Sequence, residues 1–167
     1  FIYSFLHLDK TLGDIIEAFG PWTYVILFAI IFIETGLVVM PFLPGDSLLF
    51  MAGSFAGLGD LNISLLIFLL IIAAVTGDNT NYFVGRFLGH KAIKWKFRGK
   101  PLVNPKYIEK AENFYEKYGV KTIILARFVP IVRTFAPFVA GVGEMKYSRF
   151  LPYDILGGIL WVSIATL

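Results

Sequence analysis

Apolar positions dominate residues 24–57, 62–85, 121–145 and 150–167, while polar positions collect near the N-terminus and in one segment at 86–120. The run LLIFLLIIAAV (65–75) has no polar residue. With its neighbours it reaches the roughly 20 residues that cross a hydrocarbon core of ~30 Å. Residues 62–85 therefore predict one transmembrane helix and 150–167 another. The other two blocks are interrupted. Pro41, Pro44 and Gly45 divide 24–57 into arms at 24–40 and 47–57, and Pro130 and Pro137 work against an unbroken helix in 121–145. Near the N-terminus, Leu8, Leu12, Ile15, Ile16 and Phe19 share a face, with Asp9, Lys10, Asp14 and Glu17 elsewhere. That pattern predicts an interfacial amphipathic helix over 8–19, ended by Gly20-Pro21. In the polar connector, Asn104-Pro105 and Gly119 mark the ends of a helix whose apolar face holds Ile108, Ala111, Tyr115 and Tyr118.

The two interrupted blocks carry matching features in the same order. The first reads Glu34, a proline break, Asp46, Ala52-Gly53 and then a spanning helix; the second reads Arg127, a proline break, Arg133, Ala140-Gly141 and then a spanning helix. If each block is a hairpin that returns to its own side, the single span between them reverses the side from which the second enters. The predicted fold is therefore an all-α integral membrane protein of inverted repeats, each a re-entrant, broken helical hairpin plus a transmembrane helix, preceded by the amphipathic helix. All of 1–167 forms one membrane domain. Gly/Pro-interrupted segments at corresponding places in two halves point to a midplane transport site. The connector 86–120 holds most of the lysines and arginines, so the positive-inside rule places it in the cytoplasm. It reads as a solvated basic loop drawn to anionic headgroups, and no nucleic-acid partner is expected.

Composition agrees with a bilayer environment. Hydrophobic residues make up 57% of the chain and charged ones 16%, against about 45–50% and about 25% in soluble domains. There is no cysteine, which removes disulfides and thiolate metal sites. No cleavable signal peptide is visible. The chain starts at Phe1 and stops at Leu167 inside an apolar run, so a C-terminal remainder is expected to be absent.

Four charges stand inside the interrupted blocks: Glu34 in IFIETG, Asp46 in PFLPGD, and Arg127 and Arg133 in ILARFVPIVRTFAPFVAGVG. A charge near the bilayer centre costs roughly 2.5–3.5 kcal/mol on insertion scales and is kept where it faces protein, water or a charged ligand. The arginines are six residues apart, about 240° on a continuous helix, and Pro130 between them can redirect the second arm so that both converge. A guanidinium fork suits a phosphomonoester headgroup, and Thr134 adds a hydroxyl donor beside it. Glu34 and Asp46 repel phosphate; they suit proton exchange, or neutralise the arginines in a structural network. Asp46 also suits an N-cap of the second arm. Asp78, Tyr82 and Arg86 recur at four-residue intervals as a supporting polar stripe.

FIETG, PFLPGD, GDxxxYxxGR at 77–86, RFVPIVRTFAPFVAG at 127–141, and Gly157 with Trp161 together resemble the bacterial DedA family of VTT-domain membrane proteins. The resemblance covers nearly the whole chain. It implies an inner-membrane protein with two opposed re-entrant hairpins that translocates lipid, namely undecaprenyl phosphate or a related anionic phospholipid in carrier-lipid recycling, with dependence on the proton-motive force. It also implies that the functional charges are Glu34, Asp46, Arg127 and Arg133, that membrane lipids and protons are the partners, and that no cofactor or metal is used. A homo-oligomer is compatible with this. The same residues argue against an enzyme. His7 and His90 lie outside the charged core, and a Walker phosphate loop, HExxH and DxxDG-type carboxylate arrays are absent. Two alternatives stay open: a proton-coupled small-ion antiporter, and a membrane assembly or scaffold factor.

Overall fold

A computed structural model describes residues 13–14, 16–36, 45–94, 96–97, 100–101 and 105–167. Seven helices are bounded within them: α1 (Trp22–Gly36), α2 (Gly45–Leu58), α3 (Ile63–Lys94), α4 (Pro105–Tyr118), α5 (Thr122–Ala126), α6 (Pro130–Val142) and α7 (Tyr147–Thr166). Residues 13–14 and 16–19 are also helical; the rest of the expected interfacial helix lies outside the described residues, as do Pro41 and Pro44. Among the described residues there is one departure from all-α, where β1 (Lys96–Phe97) pairs antiparallel with β2 (Lys100–Pro101).

Local chemistry sets the helix ends. Gly20 adopts φ +48° and its N–H closes onto the Ile16 carbonyl at 2.9 Å, after which Pro21 redirects the chain into α1. At the end of α2, Gly59 has φ +97° and the Asp60 N–H returns to the Phe55 carbonyl at 3.1 Å, a left-handed cap that only glycine enters without cost. Asn62 starts α3 by accepting the Leu65 N–H on its side-chain oxygen at 3.1 Å. Its own N–H donates to Tyr24 Oη at 2.7 Å, which ties that start to α1. α3 then runs 32 residues, about 48 Å at the ~1.5 Å helical rise. It passes the expected end at residue 85 because no proline interrupts the sequence as far as Lys94.

α3 is the axis on which the other helices assemble. α1 and α6 both pack along it, α2 and α5 pack on α7, and α4 packs on α6. Two glycines on α3 set the depth of these contacts. A Cβ on Gly77 would strike Thr35 Oγ1 and the Phe32 carbonyl of α1, and a Cβ on Gly85 would strike the Phe138 carbonyl of α6. Around the first crossing Leu27, Ile31, Leu49, Leu66, Leu70, Ala73 and Val162 are buried together. A smaller cluster at the second crossing stacks Tyr82 on Phe150 with ring centroids 4.6 Å apart.

The distribution of exposure is the reverse of a soluble domain. Phe68, Leu125 and Ile164 are 61, 68 and 67% exposed, whereas Glu34, Asp78, Arg127, Arg133 and Asp154 are buried. Large apolar side chains turned outward around interior charges suit a lipid solvent. Within α3, Ile63–Leu88 is long and apolar enough to cross a bilayer.

The expectation that Pro137 breaks the second hairpin is corrected. α6 continues through it to Val142. The ring removes the N–H that would bond the Arg133 carbonyl a turn earlier, and near it neighbouring helices donate to α6: Asn81 Nδ2 to the Thr134 carbonyl at 2.6 Å, and Tyr115 Oη to the Ala136 carbonyl at 2.7 Å. Burial pushes the Tyr115 phenol well above its usual range, so it remains a donor across the physiological pH range. The break comes at Arg127–Val129, where extended Val129 (φ −115°, ψ 106°) precedes Pro130 at the start of α6, as a pre-proline residue is biased to do.

Close approach at Gly77 and Gly141 is testable. A Cβ on Gly141 would meet the Tyr82 carbonyl and sit 2.7 Å from the Arg86 nitrogen. Gly77→Ala and Gly141→Ala are each expected to lose about 1–3 kcal/mol through overpacking, read as lower melting temperatures in detergent. Gly57→Ala, with nothing within 4 Å of its added Cβ, is the control and is expected to match or exceed the parent. Equal melting of all four proteins would refute the account of these crossings.

Candidate functional site

Pro130 leads into α6, which places Arg133 on the helix's first turn and turns it toward α1 and α2. Its Nη2 donates to Glu34 Oε1 at 2.7 Å and its Nη1 to Asp46 Oδ1 at 2.6 Å. The flat face of the guanidinium lies 4.4 Å from the Trp161 ring centroid. The Trp161 indole N–H donates to the same Asp46 oxygen at 2.9 Å. Glu34 comes from the last turn of α1 and Asp46 from the first turn of α2. Gly45 makes room between them, since a Cβ there would overlap the Glu34 carboxylate. The side chains of Glu34 and Arg133 are 2 and 3% exposed, but that of Asp46 is 48% exposed. The cluster is thus buried on one flank and open on the other. Among the described residues Arg133 Nε is buried without a partner, so the group has hydrogen-bonding capacity in reserve.

Arg127 belongs to a second cluster. It stands in the turn between α5 and α6, and its Nη2 donates to Asp154 Oδ1 of α7 at 2.6 Å and pairs with Asp78 of α3. A notch on α7 admits it: a Cβ on Gly157 would lie 2.9 Å from Arg127 Cδ, and one on Gly158 would lie 3.6 Å from Nη2. Asn79 Nδ2 reaches Asp154 Oδ2 at 3.5 Å. All three ionic side chains are at most 2% exposed.

The expected single cavity holding Glu34, Asp46, Arg127 and Arg133 is therefore corrected to two clusters. The chain turns at Arg127–Val129, so Arg127 stays on the α5 side facing α7 while Arg133 turns with α6. The predicted stripe also divides. Asp78 pairs with Arg127, whereas Arg86 Nη1 donates to Tyr82 Oη at 2.8 Å and Tyr82 Oη donates to the Met145 carbonyl, fastening the α6–α7 turn to α3. Thr134 is buried next to Arg133 with its carbonyl held by Asn81. Asn81 also donates to the Thr35 carbonyl at 3.3 Å, so one amide bridges α1 and α6.

Sequence reasoning missed Asp154, the role of Trp161 and the bridge at Asn81. Asp154 was detectable by the argument that singled out the arginines, because it is an acid inside the apolar run 150–167. The glycines three and four residues later lie on its helix face and mark the notch. A pocket of about 520 Å³ lies apart from both clusters, beside Tyr115, Val120 and Met145. Among the described residues no group of three or more His, Cys, Asp or Glu is placed to hold a metal ion.

Comparison with known proteins gives consistent relationships. The VTT domain family matches residues 43–167. Protein DedA of Escherichia coli K12 is 52% identical over 163 residues, covering 96% of this chain and 74% of that protein. The uncharacterized membrane protein Rv0364 of Mycobacterium tuberculosis H37Rv is 46% identical over 140 residues, 83% of this chain and 60% of its own length. Inner membrane protein YghB of Escherichia coli K12 is 36% identical over 144 residues, 86% of this chain and 64% of its own. No solved structure matches.

The two clusters are expected to respond differently to loss of their arginine. Arg127→Ala leaves the fully buried Asp78–Asp154 pair without its counter-charge and is expected to cost about 3–5 kcal/mol, the scale for breaking a buried pair. Arg133→Ala strands one buried carboxylate, since Asp46 is half exposed, and is expected to cost less. Thermal melts of the purified proteins decide it. An Arg133→Ala protein less stable than Arg127→Ala would contradict this assignment of burial.

Proposed function

The chain belongs to the DedA family of VTT-domain membrane proteins, and on that premise we propose that it carries an anionic lipid, undecaprenyl phosphate or a related phospholipid, across the bacterial inner membrane without altering it chemically. The observation that carries this reading is Arg133: a guanidinium in an apolar interior, held by two carboxylates of which one faces outward. A phosphate entering from the Asp46 side can replace the carboxylates as bidentate acceptor. The Trp161 ring keeps the guanidinium plane oriented during the exchange. Arg127, enclosed by Asp78 and Asp154, shapes the site from behind rather than receiving the headgroup first.

An inverted-repeat reading of the helix packing supports transport. α6 has 13 residues, about 20 Å at the ~1.5 Å rise, so it does not cross a ~30 Å core alone, as a re-entrant arm would not. Pairing α1, α2, α3 with α5, α6, α7 in order gives one rule: the first arm packs on its own repeat's long helix and the second arm on the other repeat's. A two-fold axis in the membrane plane produces that exchange. It would pass near Asn81, which lies four residues from both Gly77 and Gly85 and bonds one carbonyl from each half. Rocking of one repeat against the other would then present the Arg133 site to either face in turn. The basic connector lies on the cytoplasmic side in this reading.

Proton coupling follows from competition. A phosphate that takes Arg133 leaves Glu34 buried without its counter-charge, and a proton can restore neutrality. Lipid and proton binding are then linked, and the linkage is reciprocal.

The test is flux in proteoliposomes of a phosphorylated and a non-phosphorylated polyprenol, with and without a pH gradient. Arg133→Ala is expected to abolish transport of the phosphorylated lipid, and Arg133→Lys to restore little because it lacks the planar fork. Glu34→Gln is expected to retain lipid movement and lose its response to the gradient. Equal handling of both lipids would overturn the arginine–phosphate reading. Movement of neither lipid would favour a scaffold, gradient-driven movement of a small ion alone an antiporter, and an altered headgroup an enzyme.

A further inference from the structure

The Arg127 cluster has a charge imbalance. Two carboxylates, on α3 and α7, press on the same guanidinium nitrogen, which sets the two carboxyl groups beside each other. Arg127 supplies one positive charge against two negative ones, in a place where all three side chains are at most 2% exposed. The hydrogen bonds leave the same gap. Among the described residues no donor reaches Asp78 Oδ1, which is buried, although it belongs to a carboxyl whose other oxygen is paired. The nearby Asn79 amide divides its donors between the Val75 carbonyl at 2.7 Å and Asp154 and supplies no charge. The positive charges acting on the acids are Arg127 for both and, from α6, Arg133 for Asp78. Arg133 is already engaged by Glu34 and Asp46.

A net charge in a low-dielectric interior costs several kcal/mol, and the inexpensive way to remove it is a proton on one member of the pair. We propose that Asp78 and Asp154 together bind a single exchangeable proton, held between the two carboxyls, and so form a proton site separate from Glu34 and Asp46. The proton gives one acid the donor that the pair lacks and brings the cluster to neutrality. Two interacting acids that share a proton titrate as a unit, so the proton belongs to the pair rather than to either residue.

The location gives the proton a consequence, which rests on the transport reading above. Arg127 is part of the Arg127–Val129 turn between α5 and α6, whereas its two acids sit on the long helices α3 and α7. A movement of α6 that bends this turn carries Arg127 relative to the acids. When the guanidinium withdraws, the pair needs a second proton to remain neutral; when it returns, that proton leaves to water. Proton number is thereby tied to hinge position even before any lipid is bound.

The experiment is infrared difference spectroscopy of the full chain in lipid nanodiscs, comparing H2O with D2O at neutral pH. The parent is expected to show a protonated-carboxyl C=O band that shifts in D2O. Asp78→Asn and Asp154→Asn are each expected to lose that band and to melt no lower than the parent, because one carboxylate still balances Arg127. Glu34→Gln is expected to keep the band. No band in the parent, or a band that survives in both Asn variants, overturns the proposal. So does a collapse in melting temperature in both Asn variants, which would mean that both acids are ionised and required. The readout needs no transport. A parent that shows the band but moves no lipid leaves this site standing and removes the transport reading; a parent that moves lipid without the band removes this site alone.

Discussion

An arginine does not give up its charge, and in an apolar interior that constraint organises everything around it. Each of the two interior guanidiniums must be met by carboxylates, and those carboxylates must come from helices held at fixed depth and rotation. Arg133 thereby joins α1, α2 and α6, and its stacking on Trp161 adds α7. Arg127 joins α3 and α7 to the α5–α6 turn. In a lipid solvent apolar side chains gain little from meeting one another rather than acyl chains, so close packing and interior polar contacts carry more of the burden of specifying the bundle. The pairs say which helices meet, and the glycines say how closely.

The glycine positions show how backbone approach and polar bonding cooperate on α3. Gly77 and Gly85 admit α1 and α6 to contact distance, and only at that distance can the Asn81 amide, midway between them, reach a carbonyl on each side. A larger residue at either glycine would lengthen one of those bonds as well as open the crossing. The acceptor that Pro137 deprives is the Arg133 carbonyl, next to the Thr134 carbonyl that Asn81 bonds, so the bridge ties α6 to α3 beside the gap in its own hydrogen-bond ladder.

Much of this was legible in the sequence, for a physical reason. Charges inside apolar runs are expensive enough to be functional or structural by necessity, which singled out Glu34, Asp46, Arg127 and Arg133 without any partner being known. What the sequence could not supply was the pairing. Placing both arginines in one cavity assumed that Pro130, midway between them, would redirect the second arm so that they converge. The chain does turn before Pro130, because the residue before a proline is driven out of the helical region, but the turn leaves Arg127 on its α5 side. Asp154 was missed by attention to interrupted segments alone. Its run is continuous, yet an acid followed by Gly157-Gly158 on one helix face is itself a sign of a side chain entering from elsewhere.

The two arginine clusters differ in a way that assigns them different work. The Arg133 cluster has one acid at its open edge, 48% exposed, so an anion can displace that carboxylate into water at little cost. The Arg127 cluster has no such edge: displacing Asp78 or Asp154 would leave a charge in the interior. On the transport reading, the two clusters are joined only by the irregular backbone at Arg127–Val129 and a single helix turn of α6. A movement of α6 would then bend that turn, which is where it alters the surroundings of Asp78 and Asp154 without unpacking α3 from α7.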